Sequence, residues 1–556
     1  MAARRMGTWA AAALLGLGWA GDAHAADWYV DAAAAAGGTG SQSAPFATIN
    51  AALAPLQRGD TVWIASGTYT EIVNVTGLSG SGTTTFRAMP GATPVIDGTS
   101  GSSAAQYVVQ TAVADTTFEG LTIENALGGA LAIQFYYADG GSVVGCTTSN
   151  VTGNAVNFYY SNQGTVSGCK LQGNVGGRKT TGTVVENNEV YGASAEGIGL
   201  YDGSTGCTVR HNVIHDNFSV NLYLDSISHS VFDGNFIYES TPGNDLEGIE
   251  LSDEGHYSDL AAPVNSYNTI INNVIVGHQI GIAFWYSDEW STQQLNDESG
   301  LRYDVIANNT VVGNQGALKW DASPAHVGTA IENNVFASAA GTGPSYLLQA
   351  NSAGGITLDH NLWFAPDLAQ PYLWVGDQTD HAGFATASGQ GGGDVLADPK
   401  FAGPWSAPPV TDLELASGSP AIDAGVALAA VTTDYLGGVR PATGSDIGAF
   451  QYGAVVLPVD GGVGPEGGDA AVGPGEDGGS PGKGGADGGA SGGADGGGGE
   501  DGAAGDGGAM GGAHSSGCTC RVTTAPADAG AGPAAAALLL GIAASRRRRR
   551  TTSGTS

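Results

Sequence analysis

From about Thr116 to Phe364 the chain repeats one outline: a β-branched pair, an Asn, a hydrophobic pair, a polar turn and a further short strand. The stretch TVRHNVIHDNFSVNLYLD, Thr208 to Asp225, is one copy. With the Asn as anchor, copies fall at Asn188, Asn212, Asn235, Asn273, Asn309, Asn334 and Asn361, and Cys146 and Cys169 take the matching place in two earlier ones. Spacings of about 20 to 40 residues are those of a solenoid whose coils differ in loop length. Strands of period two, bounded by Gly, Asn, Asp and Ser, argue against long amphipathic helices and predict coils stacked through parallel strands. A recurring Asn at a strand corner suits the left-handed conformation of a sharp bend, and its amide can bond the coils on either side. These Asn therefore read as scaffold. Cys146 and Cys169, one coil apart, read as core thiols in preference to a bridge.

Ahead of the repeats, Trp28 to Val30 reads as a strand, Phe46 to Leu56 as a short amphipathic helix, Asp60 to Ile64 as a strand and Gly67-Thr68-Tyr69 as a turn. An open solenoid end exposes apolar surface and strand edges, so the helix is expected to cap the first coil. This opening resembles that of secreted right-handed parallel β-helix proteins, through Pro45, Phe46, Thr48, Ile49, Gly59, Asp60, Val62, Gly67, Thr68 and Tyr69. The pieces Ser419 to Gly425 and Asp446 to Phe450 resemble the closing segment of the same proteins. They imply a C-terminal cap folded over the last coil. The fold class expected is all-β: one right-handed parallel β-helix solenoid over 26–453, with no second globular domain.

Charge alters the picture mainly outside that region. The formal net charge is -34, with 19 Lys+Arg against 53 Asp+Glu. A nucleic-acid partner is excluded, because phosphates demand cations. Much of the acidity lies in 454–515, a Gly-, Asp- and Ala-rich stretch unable to bury enough apolar area to order itself, hence a disordered linker. Residues 1–25 read as a signal peptide: Arg4 and Arg5, an apolar run, then Ala23-His24-Ala25. The tail over 516–556 resembles the myxobacterial C-terminal sorting signal, with Gly517-Cys518, an apolar run from about Pro533 to Ala544, and the Arg546 to Arg550 cluster. By that resemblance the chain is exported, held transiently in the inner membrane, processed near Cys518 and displayed at the cell surface. The expectation is a monomer.

Chemistry is sought where the repeat departs from itself. In Gly197 to Tyr201, Asn221 to Asp225, Gly248 to Ser252, Gly281 to Trp285 and Ala317 to Asp321 the Ile and Leu positions must face the core. Two outward columns remain: Gly199, Tyr223, Glu250, Ala283, Lys319, and Tyr201, Asp225, Ser252, Trp285, Asp321. Asn157 and Tyr159 extend them. Aromatic rings that cover a sugar's apolar face, beside groups that bond its hydroxyls, suit an extracellular polysaccharide. Tyr159, Tyr201, Tyr223, Trp285 and Asp321 are the candidate binding residues. The long connections Asp253 to Asn268 and Ser287 to Arg302 would wall the groove.

The architecture resembles the β-helix pectate lyases, which implies calcium-assisted β-elimination of a uronic-acid polymer. Asp225, Glu250, Asp253 and Glu254 would be the calcium ligands and Lys319 the base, with Arg178 and Lys179 in reserve. Lys319 lies two coils from Glu250, about 10 Å away. Hydrolysis is the alternative: Asp225 and Glu250, roughly 8 Å apart on adjacent strands, approach the separation of inverting glycosidases. A non-catalytic surface adhesin is the third reading. No organic cofactor is expected, since no phosphate-cradling loop or nucleophile elbow is present.

Overall fold

The computed structural model describes residues 25–455 except 242–246, 255–264, 288–298, 324 and 406–407, and only the main chain of 254, 286 and 287. The expected signal peptide, acidic linker and sorting tail therefore lie outside the described residues.

Three strands per coil build three long sheets. Among the described residues the first has 13 strands, from Asp27–Val30 to Ile356–Asp359, and the second 13, from Val73–Val75 to Asp377–Thr379. The third has 12, from Gly67–Tyr69 to Leu362–Phe364. Gly67 to Tyr69 is thus the first strand of a sheet, paired with Pro94–Asp97, and not the turn expected from its Gly-Thr. Adjacent coils pair in parallel, about 4.8 Å apart. The final pair, Tyr372–Trp374 with Asp377–Thr379, is antiparallel. Alternate side chains point inward and repeat coil by coil, so like packs on like. Phe86 stacks on Phe118 at 5.4 Å and Phe135 on Phe158 at 4.8 Å, all buried.

The Asn column forms a continuous hydrogen-bond ladder. The Asn273 main-chain N–H and Nδ2 donate to Asn309 Oδ1 at 2.9 and 3.0 Å, and Nδ2 also donates to the Phe232 carbonyl at 3.0 Å. The same bonds recur from Asn188 to Asn361. Cys169 N–H donates to Asn188 Oδ1, and Asp394 Oδ1 accepts from Asn361 N–H at the far end, each at 2.9 Å. Buried amides left without these partners would each cost about 1–3 kcal/mol. The left-handed turn belongs to the preceding residue and not to the ladder Asn itself. Asn187, His211, Asn272, Asn308, Asn333 and His360 have φ between 53° and 58°. Cys146 and Cys169 are free, buried thiols, pushed up to about 12 and about 11 by burial.

The ends are closed differently. A short helix at Ile49–Leu53, N-capped by Thr48, buries Ile49 and Ala52 against the first strands of the first two sheets. It is shorter than Phe46 to Leu56, because the Thr48 hydroxyl accepts from Ala51 N–H and fixes its start. At the other end the helix His381–Ser388 lays Phe384 on Tyr372 and Trp374, both at 5.1 Å. The segment expected to fold over the last coil does something else. It runs along the outside of the third sheet, where Phe401, Leu413, Leu415, Ile447 and Phe450 cover Val274, Val276, Val312, Val335 and Leu362. The third sheet is apolar on both faces in these coils, and its outward stripe needs a cover.

Candidate functional site

The outward side chains of the second sheet stand in two registered columns. One runs Gln134, Asn157, Gly176, Gly199, Tyr223, Glu250, Ala283, Lys319, Gln349. The other runs Tyr136, Tyr159, Arg178, Tyr201, then Asp225, Ser252, Trp285. Phe284 pairs with Trp320, so Asp321 stands beside Trp285. Every column member expected from the alternation is therefore brought onto one face. Arg178, which the sequence does not register, falls between Tyr159 and Tyr201.

The face is not uniformly open. Tyr201 and Tyr223 are buried and form a small apolar cluster with Val220, their rings 5.7 Å apart. The cause is local: Gly199 has no side chain, and the Tyr201 ring folds back into the space that a β-carbon there would occupy. Its hydroxyl lies 3.4 Å from Glu196 Oε2 and is held well above the usual phenol range by burial and by the Glu196 and Asp225 charges. These two tyrosines fill the groove's floor and offer no ring face to a sugar. Asp225 and Glu250 are also buried, at 7% and 3% exposure, and Asp225 Oδ1 accepts from the Ser226 hydroxyl at 2.9 Å. Tyr159, Arg178, Trp285, Lys319 and Asp321 keep exposed surface.

Asp253 is the clearest departure from the expected ligand set. Its Oδ1 accepts from the main-chain N–H of Asn265 at 2.8 Å and its Oδ2 from that of Gly300 at 2.7 Å. It follows outward-facing Ser252 and, by alternation, turns to the interior, where it ties together the points at which the two long connections rejoin the coils. Burial and the nearby Asp304 push its carboxyl up to about 7. Asp304 is pushed up to about 7 as well, also by burial, and accepts from Asn268 and Arg302 N–H. Among the described residues no group of three or more His, Cys, Asp or Glu is arranged to hold a metal. Of the four expected calcium ligands, Asp225 and Glu250 share the face, Asp253 is engaged by Asn265 and Gly300, and the Glu254 side chain lies outside the described residues.

Two groups join the site that the sequence did not single out. Tyr346 lies over Gly316, and burial, with the charges of Glu247 and Asp321, raises its hydroxyl above the usual phenol range. Asn351 Nδ2 donates to Asp321 Oδ1 at 3.2 Å. At the other end, Tyr136 and Tyr159 stack at 5.4 Å, with Tyr137 and Tyr160 packed beside them. The Arg178 guanidinium lies 5.8 Å from the Tyr159 ring and is ion-paired with Asp202 at 2.6 Å. Two Tyr-Tyr pairs one coil apart, followed a coil later by Arg-Lys, were the available signal.

A three-sheeted parallel solenoid with one chemically mixed outward face is the class that this fold and site define. The profile of the right handed beta helix region matches residues 62–237 and 178–365, together more than half of the chain, and the protein belongs to that family. Among solved structures, a complex of XylC with xylose is similar in fold at TM-score 0.51 and 12% identity, covering 77% of this chain and 98% of that one. Pectate lyase Pel9A matches at 0.42 and 16%, covering 77% and 96%. The mannuronan C-5 epimerase AlgE6 A-module of Azotobacter vinelandii matches at 0.45 and 16%, covering 63% and 93%. No curated protein sequence matches the chain.

Proposed function

We propose that this protein is exported to the cell surface, binds an extracellular acidic polysaccharide along the outward face of the second sheet, and cleaves it by β-elimination. The observation that supports this reading best is the registered face itself. Part-exposed Tyr159, Arg178, Trp285, Lys319 and Asp321 lie along one line of coils, which suits a polymer better than a compact ligand. In the proposed reaction Lys319 takes the proton from the carbon bearing the sugar carboxylate. The electron pair forms a double bond to the neighbouring ring carbon, whose bond to the glycosidic oxygen breaks, and that oxygen leaves as a hydroxyl on taking a proton from water. Ala283 lies between Glu250 and Lys319 in the column. Bound calcium would neutralise the sugar carboxylate, with Asp225 and Glu250 as the described residues that could hold it, and no step here depends on it.

Burial of Asp225 and Glu250 weakens hydrolysis by that pair, and the remaining alternative is a surface adhesin that binds without cleaving. Incubation of the full chain with polygalacturonate and alginate separates the three. Elimination yields ultraviolet absorbance from the unsaturated product, lost in Lys319→Ala with binding retained. Reducing ends without that absorbance would mean hydrolysis, and binding with neither product would leave the adhesin.

A further inference from the structure

Where a coil leaves the second sheet for the first, the chain enters the left-handed region, and it does so at two positions in the five successive coils of Tyr137, Tyr160, Lys179, Asp202 and Ser226. At the second of these positions the coils carry Gly206, His229, Tyr267, Tyr303 and Gly328 in succession, and the three non-glycines have φ of 52°, 56° and 58°. At the first position, earlier coils carry Tyr137, Tyr160 and Lys179, with φ of 51°, 50° and 50°. A bulky side chain in this region is an outlier, and glycine occupies it freely. Gly206 and Gly328 show that this same corner accepts glycine. The fold does not require the rings, so they invite an explanation in function.

The rings are also arranged. His229 stacks on Tyr267 at 5.0 Å and Tyr267 on Tyr303 at 5.0 Å. Tyr137 stacks on Tyr160 at 5.2 Å, with Lys179 Nζ 5.1 Å from the Tyr160 ring. They face outward: Tyr137 is 58% exposed, Tyr267 51% and Tyr303 45%.

We propose that these two ladders form a carbohydrate-binding track that holds an acidic polysaccharide along the solenoid axis, beside the outward face of the second sheet. The proposal rests on the polysaccharide reading above. Tyrosine joins an apolar ring to a hydroxyl, as a pyranose surface requires. The ladders repeat once per coil, as a polymer does and a compact ligand does not. Cations stand next to the rings: Lys179 and Arg302 keep exposed surface, and Arg178 is paired with buried Asp202, while the exposed carboxylate beside Tyr137, Asp139, accepts from Asn162. The track is continuous with the candidate groove, because Tyr137 packs on Tyr136 at 4.7 Å and on Tyr159 at 5.8 Å.

The competing explanation is that the stacks only hold coils together. Tyr267→Gly with Tyr303→Gly, and Tyr137→Gly with Tyr160→Gly, decide between them in the full chain, since glycine relieves the left-handed strain. Affinity electrophoresis would use polygalacturonate and alginate with dextran as the neutral control, and thermal unfolding would be read in parallel. Each pair of changes is expected to weaken acidic-polymer binding about tenfold, roughly two ring contacts' worth, with the unfolding midpoint little changed and dextran unbound. A lowered midpoint with unchanged affinity would make the stacks structural and overturn the track. Dextran bound as tightly as the acidic polymers would overturn the acidic ligand. Binding to phosphatidylglycerol vesicles in place of the polymers, lost in the same variants, would overturn the carbohydrate occupant. A parent chain that binds none of the polymers overturns the polysaccharide reading itself, whereas unchanged affinity in the variants of a binding parent sinks the track alone.

Discussion

The second and third sheets share one backbone plan and use their outward faces in opposite ways. The third sheet presents Val274, Val276, Val312, Val335 and Leu362, and the chain's own C-terminal segment covers them. The second presents rings, carboxylates and cations at the equivalent places. Arg440 shows how firmly the cover is held. Its buried guanidinium donates to the carbonyls of Thr433, Asp446 and Gly448 and to Asn272 Oδ1, joining the segment to the left-handed corner of a coil. Burial lowers it to about 10, still charged at neutral pH. An outward face that is apolar over several coils is a docking strip for the chain itself, while one that mixes rings and charge is available for something else.

Breaking the cover tests that contrast most severely. Arg440→Ala removes four hydrogen bonds and leaves Asp434 and Asp446 without their cation, so a loss of about 3–5 kcal/mol is expected in denaturant unfolding. Binding by the second sheet should persist in the fraction that stays folded. An Arg440→Ala chain as stable as its parent would mean that the segment is held by its apolar residues alone. A smaller effect is expected on the other face. Gly199→Ala forces the Tyr201 ring out of its niche and into the groove, costing about 1–3 kcal/mol and reducing affinity for polygalacturonate. Unchanged binding would place the polymer away from these coils.

The smallest effect is one of pH. Asp253 and Asp304 have folded pKa values raised to about 7 from 3.8, so protonation favours the folded state. Their stabilising contribution is complete below about pH 4 and is lost as pH rises through about 7. His278 works in the opposite sense: burial lowers it to about 3, so it favours the fold above its ordinary value and disfavours it as pH falls. The net profile mixes the two, but Asp253→Asn should flatten the loss between about pH 4 and pH 7 in the folded chain's unfolding midpoint. An unaltered slope would show that Asp253 keeps its charge through that range.

Much of this was legible in the chain. Asn188 to Asn361 announced the coils because each coil must satisfy the same buried corner, and that demand repeats in sequence. The columns of Tyr223, Glu250 and Lys319 followed from the strict alternation of strand side chains. Arg178 escaped registration because only Gly173 separates Lys170–Gln172 from Asn174–Arg178, so Arg178 follows the anchor Cys169 more closely than Tyr159 follows Cys146. The burial of Tyr201 could not be read from Tyr201 at all, since it depends on the missing side chain of Gly199. Asp253 looked like its acidic neighbours, and only the return of its own connection at Asn265 and of the next coil's at Gly300 gave it a structural task. The left-handed rings at Tyr267 and Tyr303 carried no local mark either, because an exposed tyrosine in a turn has the same letter whatever its φ.

By itself, then, the sequence determined the solenoid, its three-strand coil and the side on which each strand residue stands, since period and corner chemistry are local and repeat. Tertiary structure decided which outward face is covered, which of the aligned carboxylates are buried and which rings stay exposed. Those outcomes depend on segments that meet only after folding, and no residue's own neighbourhood in the chain encodes them.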